Sequence, residues 1–521
     1  MRHGPRLRTR TLKASPGKPK GLSVTVAHRA DCWFCARPGE LHFLSCRVAT
    51  SASLSFIAGR LCMVERRTIL EKWRSDLDAA STDEGRLDSI TELLAAVTHH
   101  RLDLGVLAGP RRRDEAGLRW LAYKEAFSPA LVREVLDHWG RVDGPLLDPF
   151  AGSGTSLYVA VERDIPSIGV ELLDYPQWAA QTMLSARFAD ADRLDRICAE
   201  TIGAAARRGR GARRQDFPAP AAAWAISAEV ADTLAALRST LPPRGNSLEA
   251  DLAHLALLSV VETVSTSVKD GTSLRHRSPR REGRTTRPGR KDLFFSRMDV
   301  VHQFRAAARA IADDLPKLPS GDAAAIVHRA DARDLPLDDN SVGCVVFSPP
   351  YPNRYDYTAV YQLELAVGGF VDTAAELRAL RKSLLRSHLE SPAPVSPAFI
   401  EPAVVEVLRA VGEAARRNPP GAGRTMRMLV GYFDDMRIVL NEIARVTRPG
   451  APVACVISTQ TYFGVAVPTD LMLAALAQRA GLSIEALWIL RRKRVAVQQR
   501  SRVPVRSLGG REVVLFLRKG R

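Results

Sequence analysis

The chain has 521 residues, of which 46% are hydrophobic, enough for two or three domains with sizeable cores. The formal net charge is +18 and the sequence pI about 10.0, a field that attracts polyanions and makes nucleic acid the first partner to consider. No apolar run reaches the ~18 residues needed to span a bilayer, so a membrane partner is not expected.

Residues 1–62 differ from the rest of the chain. They hold eleven Lys/Arg against two Asp/Glu, so half of the net charge sits in a segment with little periodicity. A basic, disordered N-terminal arm is expected there, or an upstream start with Met63 as the true one. No apolar stretch with a small-residue cleavage site accompanies it, so no secretory signal is expected. The seven cysteines are an odd number and those beyond residue 62 are scattered, which favours a reducing cytoplasm over a disulfide scaffold. Within the arm, Cys32, Cys35, His42 and Cys46 are weak candidate zinc ligands, because the second pair is irregularly spaced.

Met63 opens an amphipathic helix, "MVERRTILEKWRSDLDAA". "SPALVREVLDHWG" reads as a helix with Ser128 as N-cap and Pro129 at its first position, where a missing N–H costs nothing. "GPLLDPF" is a short buried strand, "GTSLYVAVERD" a helix and "PSIGVELLD" a second strand. Strand, helix and strand in this order make a βαβ unit of a parallel sheet. From about 190 to 325 the alternation breaks. Ala-rich helices are expected over 221–241 and 248–266, then a basic loop, and another helix near 300–315. Alternation resumes in "AAIVHRADARDLPLDDNSVGCVVFSPPY", and residues 362–420 form a second, mostly helical insertion. "MRIVLNEIARVTRPG" is a helix, "APVACVIST" a strand and "PTDLMLAALAQRAG" a helix. "LSIEALWIL" and "REVVLFLRK" close the chain as two strands antiparallel to each other.

Two motifs carry chemistry. The first, Asp148-Pro149-Phe150-Ala151-Gly152-Ser153-Gly154-Thr155, ends a strand and opens a helix. Glycines there let the backbone approach a ligand closely. Glu171 ends the next strand, where an acid commonly grips ribose hydroxyls. A dinucleotide fingerprint wants a glycine where Leu157 stands, and a Walker loop wants Gly-Lys-Ser/Thr, which is absent. A nucleoside with a short charged tail, S-adenosylmethionine, fits better. Asp331, between two strands, is a candidate acceptor for an adenine amino group or a plain turn residue.

The second motif is Ser348-Pro349-Pro350-Tyr351 after "VVF". The amino nitrogen of a base is a poor nucleophile, because its lone pair is delocalised into the ring. The Ser348 hydroxyl and the Pro349 carbonyl are candidate acceptors for its hydrogens, Tyr351 offers a ring face, and the prolines hold the geometry rigid. Asn353, Arg354 and Tyr357 come next and are candidate substrate contacts. Lys269 to Arg297 holds ten Lys/Arg against three acids and is a candidate phosphate-backbone contact, or else a solvated loop.

DPFAGSGT and SPPY together resemble the amino-methyltransferases of DNA, the N4-cytosine and N6-adenine enzymes. "YKEAFSPALVREVLDHW" resembles the segment of that family that helps hold the methionine end of the cofactor. The similarity covers 120–185, 326–365 and the strands of 430–518. It implies an α/β, Rossmann-like methyltransferase sheet with helices on both faces, an antiparallel C-terminal strand pair and two largely helical or loop insertions. It implies S-adenosylmethionine held by Asp148, Pro149, Phe150, Gly152, Gly154, Thr155, Glu171 and Asp331. Ser348, Pro349, Pro350 and Tyr351 would engage a target base extracted from duplex DNA. Ser in first place is more similar to the N4-cytosine branch than to the DPPY adenine branch. No Pro-Cys pair occurs, against a C5-cytosine enzyme.

The expected division is 1–62 arm, 63–119 helical segment, 120–190 cofactor-binding half, 191–325 insertion, 326–365 catalytic segment, 366–429 helical insertion and 430–521 closing half. A partner restriction or defence nuclease and a cytoplasmic location go with this reading. An RNA base amino-methyltransferase, for example of guanine N2, is the alternative, but no RNA-binding domain is evident in 63–110. A binding module that kept the fold and lost catalysis is disfavoured by the two intact motifs.

Overall fold

The computed structural model describes residues 86–106, 115–121, 123, 126–207, 217–270, 273–277, 295–394, 401–417, 421–492 and 510–521. These all belong to one compact unit, Thr68–Arg521. The N-terminal arm with Cys32, Cys35, His42 and Cys46, the helix expected from Met63, and the centre of the basic loop lie outside the described residues.

Twelve strands are described: β1 Thr98–His100, β2 Leu146–Asp148, β3 Ser167–Glu171, β4 Ser267–Asp270, β5 Ser273–His276, β6 Ala325–Arg329, β7 Cys344–Phe347, β8 Pro452–Ser458, β9 Gln460–Tyr462, β10 Val465–Val467, β11 Leu482–Arg492 and β12 Arg511–Lys519. Eight of them form one sheet in the order β1-β11-β12-β8-β7-β2-β3-β6. The run from β6 to β8 is parallel throughout. β12 runs antiparallel to both β8 and β11, as expected for the closing pair.

Central strands read as unbroken apolar runs because both faces are covered. Alternate residues serve separate cores. Leu146, Val346, Ala454 and Phe516 enter one, with helices Pro129–Trp139, Thr155–Glu162 and Asp174–Ser185. Leu147, Val345, Cys455 and Leu515 enter the other, with helices Arg86–Ala96, Pro402–Arg416, Ala422–Val446 and Thr469–Arg479. Helices on both faces of a largely parallel sheet make this a doubly wound α/β fold.

The chain builds β2, β3 and β6 outward in one direction, then returns to place β7 and β8 on the other side of β2. The order therefore reverses between β2 and β7, whose registers pair Leu146 with Cys344 and Leu147 with Val345. Ligands of such sheets bind outside the carboxyl ends of the strands at that reversal.

The local signal held at Ser128-Pro129. Ser128 accepts the Ala130 N–H at 3.2 Å and Pro129 opens the helix. At three places the structure differs from the expectation. The stretch 221–241 is two helices, Ala222–Ala225 and Ala228–Thr240, because Ser227 caps the second by accepting the Val230 N–H. The helix from Leu248 ends at Ser259, and the start of the basic loop is the hairpin β4–β5. The helix expected over 436–450 begins at Ala422 and runs for 25 residues across position 430.

Candidate active site

β2 delivers Asp148 to the edge of the reversal. Its buried carboxylate accepts the N–H of Phe150 at 2.9 Å and the hydroxyl of Ser156, which closes the turn on itself. Burial pushes this carboxyl up to about 7, against the pull of those two donors. Gly152 and Gly154 come next with φ of 52° and 78°, in the left-handed region that side chains resist. A Cβ on Gly152 would stand 3.0 Å from the ring of Tyr123.

β3 delivers Glu171 beside this turn. Its carboxylate accepts the N–H of Gly152 at 3.1 Å and that of Leu173 at 2.9 Å. Desolvation pushes Glu171 up to about 7; the two N–H groups oppose the shift and the nearby Asp148 adds to it.

β7 delivers Ser348 and the prolines to the adjacent strand end. Phe150 and Phe347 bring the two motifs together, with ring centroids 6.1 Å apart and planes 27° from parallel. The Ser348 hydroxyl and the Tyr351 hydroxyl stand 3.5 Å apart, the outer limit of a hydrogen bond.

A cleft of about 850 Å³, open to solvent, lies over these strand ends. Asp148, Pro149, Phe150, Gly152, Thr155, Glu171, Asp331, Ser348, Pro350 and Tyr357 all line it. Gly154, Pro349, Tyr351, Asn353 and Arg354 stand off its wall. Gly154 is buried as the N-cap of helix Thr155–Glu162, where its φ makes the turn possible. Tyr351 packs against the second core. Asn353 serves its own turn, its side-chain oxygen accepting the Tyr355 N–H at 3.0 Å. Arg354 is exposed with a φ of 72°, and its guanidinium lies 5.1 Å over the Tyr462 ring and donates to Thr425 at 3.3 Å.

Two further placements differ from the sequence expectation. Asp331 lines the cleft, but Arg333 curls back onto it and donates to both carboxylate oxygens at 2.9 and 2.6 Å. Lys269, counted among the DNA-facing charges, is 2% exposed and pairs with Glu364 at 2.5 Å inside the fold. Its Nζ also lies 4.7 Å over the ring of Tyr361.

Sequence reasoning missed the strap Leu384–Ser387, which lines the cleft through Leu384, Leu385 and Ser387. It carries no motif and stands far along the chain. Tyr123, which stacks on Tyr361 at 5.1 Å and 7°, was also missed as a single residue, although its segment carries the resemblance noted above. Among the described residues no cluster of His, Cys, Asp or Glu is able to hold a metal ion.

The sequence matches no family model. It is similar to Type II methyltransferase M.AvaI of Nostoc sp. (strain PCC 7120 / SAG 25.82 / UTEX 2576), 25% identical over 417 residues that cover 75% of this chain and 84% of the relative. It is also similar to Type II methyltransferase M.BsoBI of Geobacillus stearothermophilus, 27% identical over 417 residues, with 72% and 80% covered. The crystal structure of a SAM-dependent methyltransferase from Methanosarcina mazei aligns with 74% of this chain and 97% of its own at 9% identity. Its TM-score of 0.25 is too low to bear on fold or chemistry, and the fold rests on the strand order described above.

Proposed function

We propose that this chain transfers a methyl group from S-adenosylmethionine to the exocyclic amino group of a base in DNA, N4 of cytosine in preference to N6 of adenine. One observation carries the reading. The glycine turn after β2 and the Ser-Pro-Pro-Tyr turn after β7 meet at the reversal of the sheet, over a single cleft. The similarity to type II methyltransferases, a designation from restriction–modification, supports both the chemistry and DNA as the substrate.

The residues present fit this cofactor. The glycine turn lines the cleft with bare backbone at Gly152, whose Cβ position is taken by the Tyr123 ring, and Glu171 offers an ionisable acceptor for ribose hydroxyls. Phe150 gives an apolar wall, and Tyr123 and Phe127, from the segment whose resemblance implies a hold on the methionine end, line the same cleft. Bound S-adenosylmethionine supplies an activated methyl group. The protein supplies position. The Ser348 hydroxyl and the Pro349 carbonyl accept the amino hydrogens of the base, which favours a tetrahedral nitrogen with its lone pair available. The two prolines fix that geometry in advance, so little reorganisation is needed when charge develops. Tyr351 stands off the cleft wall, packed against the second core with its hydroxyl 3.5 Å from that of Ser348, and would have to turn its ring toward the cleft to stack on the base.

The target must leave the duplex to reach this cleft. The β4–β5 hairpin packs against helix Tyr357–Val360, directly after the second motif. The basic loop that leaves this hairpin is therefore the phosphate-backbone contact in our reading. A partner restriction or defence nuclease goes with the type II designation.

The test is direct. The protein is incubated with methyl-labelled S-adenosylmethionine and duplex DNA or RNA, and the labelled nucleoside is identified. N4-methylcytosine in DNA is expected. N6-methyladenine keeps the chemistry and overturns the base. Label in RNA alone overturns the substrate.

A further inference from the structure

The strap Leu384–Ser387 has no helix or strand to hold it, yet it lines the cleft. It is held from the long helix Ala422–Val446 by Asp435, which has no solvent exposure. One Asp435 oxygen accepts the Arg386 backbone N–H at 2.8 Å and the Arg386 Nε at 3.0 Å. The other accepts from Arg386 at 2.6 Å and from Arg333 at 3.2 Å. Gly431, one helical turn earlier on the same face, makes room for this packing. A Cβ there would come within 2.7 Å of the Arg386 Cδ.

Both guanidinium groups lead back to the cleft. Arg333 grips Asp331 on one side and donates to the Ser383 carbonyl at 2.6 Å on the other. On its far side the strap meets the loop after the Ser-Pro-Pro-Tyr turn. There the Ser387 carbonyl accepts the backbone N–H of Arg354, whose φ is 72°, at 3.1 Å. Just ahead of the strap, Arg381 pairs with Asp356 at 2.8 Å in the same loop. The strap therefore touches the cofactor cleft with one side and the target-base loop with the other.

We propose that Asp435 is a positioning residue: by fixing the strap Leu384–Ser387 it makes cofactor and DNA bind cooperatively. The proposal rests on the methyltransferase reading above. A ligand that packs on Leu384 and Leu385 steadies Ser387, and Ser387 steadies Arg354 beside the target base. Coupling of this kind is reciprocal, so DNA strengthens cofactor binding by the same factor. Burying a carboxylate with no exposure is costly unless its partners are fixed, and here both partners are parts of the site.

The test compares the full-length wild-type chain with Asp435→Asn and with the milder Arg386→Lys. DNA affinity is read by fluorescence anisotropy with and without S-adenosylhomocysteine. In the wild type the cofactor product should tighten DNA binding about tenfold, within the usual range of coupling. In both variants the factor should fall below about twofold, the KM for S-adenosylmethionine should rise about tenfold, and kcat at saturation should stay within about twofold. A merely structural role would lower kcat or melting temperature and leave the coupling factor intact, and that result overturns the proposal. Hydrogen exchange on the wild type needs no variant. Cofactor binding should slow the amides of Leu384–Ser387 and of Arg354 together, and an unchanged Arg354 amide overturns the proposal. A wild type that methylates DNA without coupling overturns this inference alone. A wild type that binds no S-adenosylmethionine overturns the methyltransferase reading and this inference with it.

Discussion

The Glu171 carboxylate accepts the backbone N–H of Gly152 at 3.1 Å, so the acid that ends β3 is bonded to the glycine turn after β2. Both halves of the proposed cofactor site are thereby one unit, and burial raises its two carboxyls. Glu171 titrates near 7. Its ionised form is the better acceptor for ribose hydroxyls, so cofactor affinity should rise with pH. Between pH 8 and pH 6 the ionised fraction falls about tenfold, and affinity should fall by a similar factor. Calorimetric titration across that range checks this, and Glu171→Gln should flatten the profile. The stability of the ligand-free chain should run the other way. Asp148 and Glu171 bind protons more tightly folded than unfolded. Their stabilising contribution is full below about pH 4 and is lost as pH rises through about 7. A rise in melting temperature between pH 6 and 8 in the apo chain would contradict the assignment.

Gly152→Ala tests close approach. The new Cβ would meet the Tyr123 ring at 3.0 Å, from a backbone with φ of 52°. The strained conformation alone costs about 1–3 kcal/mol. Melting temperature should fall and cofactor affinity should drop at least tenfold. Normal affinity would show that the turn does not face the ligand.

Lys269 gives a stability test away from the cleft. Lys269→Met leaves the carboxylate of Glu364 buried without its cation, a loss of about 3–5 kcal/mol. The double variant Lys269→Met, Glu364→Leu should recover most of it. Urea unfolding of the two variants measures this, and equal losses in single and double variants would refute the pair.

The basic loop is tested by salt. Replacing Arg280, Arg281 and Arg284 with Ala should weaken DNA binding at all sequences. It should also reduce the slope of log affinity against log salt by about 3, as expected when three phosphate contacts go. An unchanged slope would remove the loop from the interface.

Much of this was legible in the sequence because the signals are local. Ser128-Pro129 writes its own helix start, and Gly152 and Gly154 mark a turn whose φ values few other residues accept. The strand, helix and strand from β2 to β3 told of a parallel sheet. What escaped depends on distant partners. Lys269 reads as one more basic residue until Glu364, 95 positions away, meets it in the core. Nothing local marks Arg333 as the partner of Asp435, 102 positions away. The strand β1 is three residues long, too short to leave a period. The strap Leu384–Ser387 has no pattern, because its place is set by Asp435 and not by its own propensity.

The central claim is that one cleft holds the cofactor and presents Ser348 to an amino nitrogen. The most direct measurement pairs wild type with Ser348→Ala in a single assay of methyl transfer to duplex DNA, with cofactor affinity measured on both. The account predicts label in an N-methylated base from the wild type, with transfer cut at least a hundredfold in Ser348→Ala at unchanged cofactor affinity, about the 2.7–4 kcal/mol seen when one well-placed hydrogen-bonding group is removed. Equal turnover by the two proteins, at equal cofactor affinity, would contradict it.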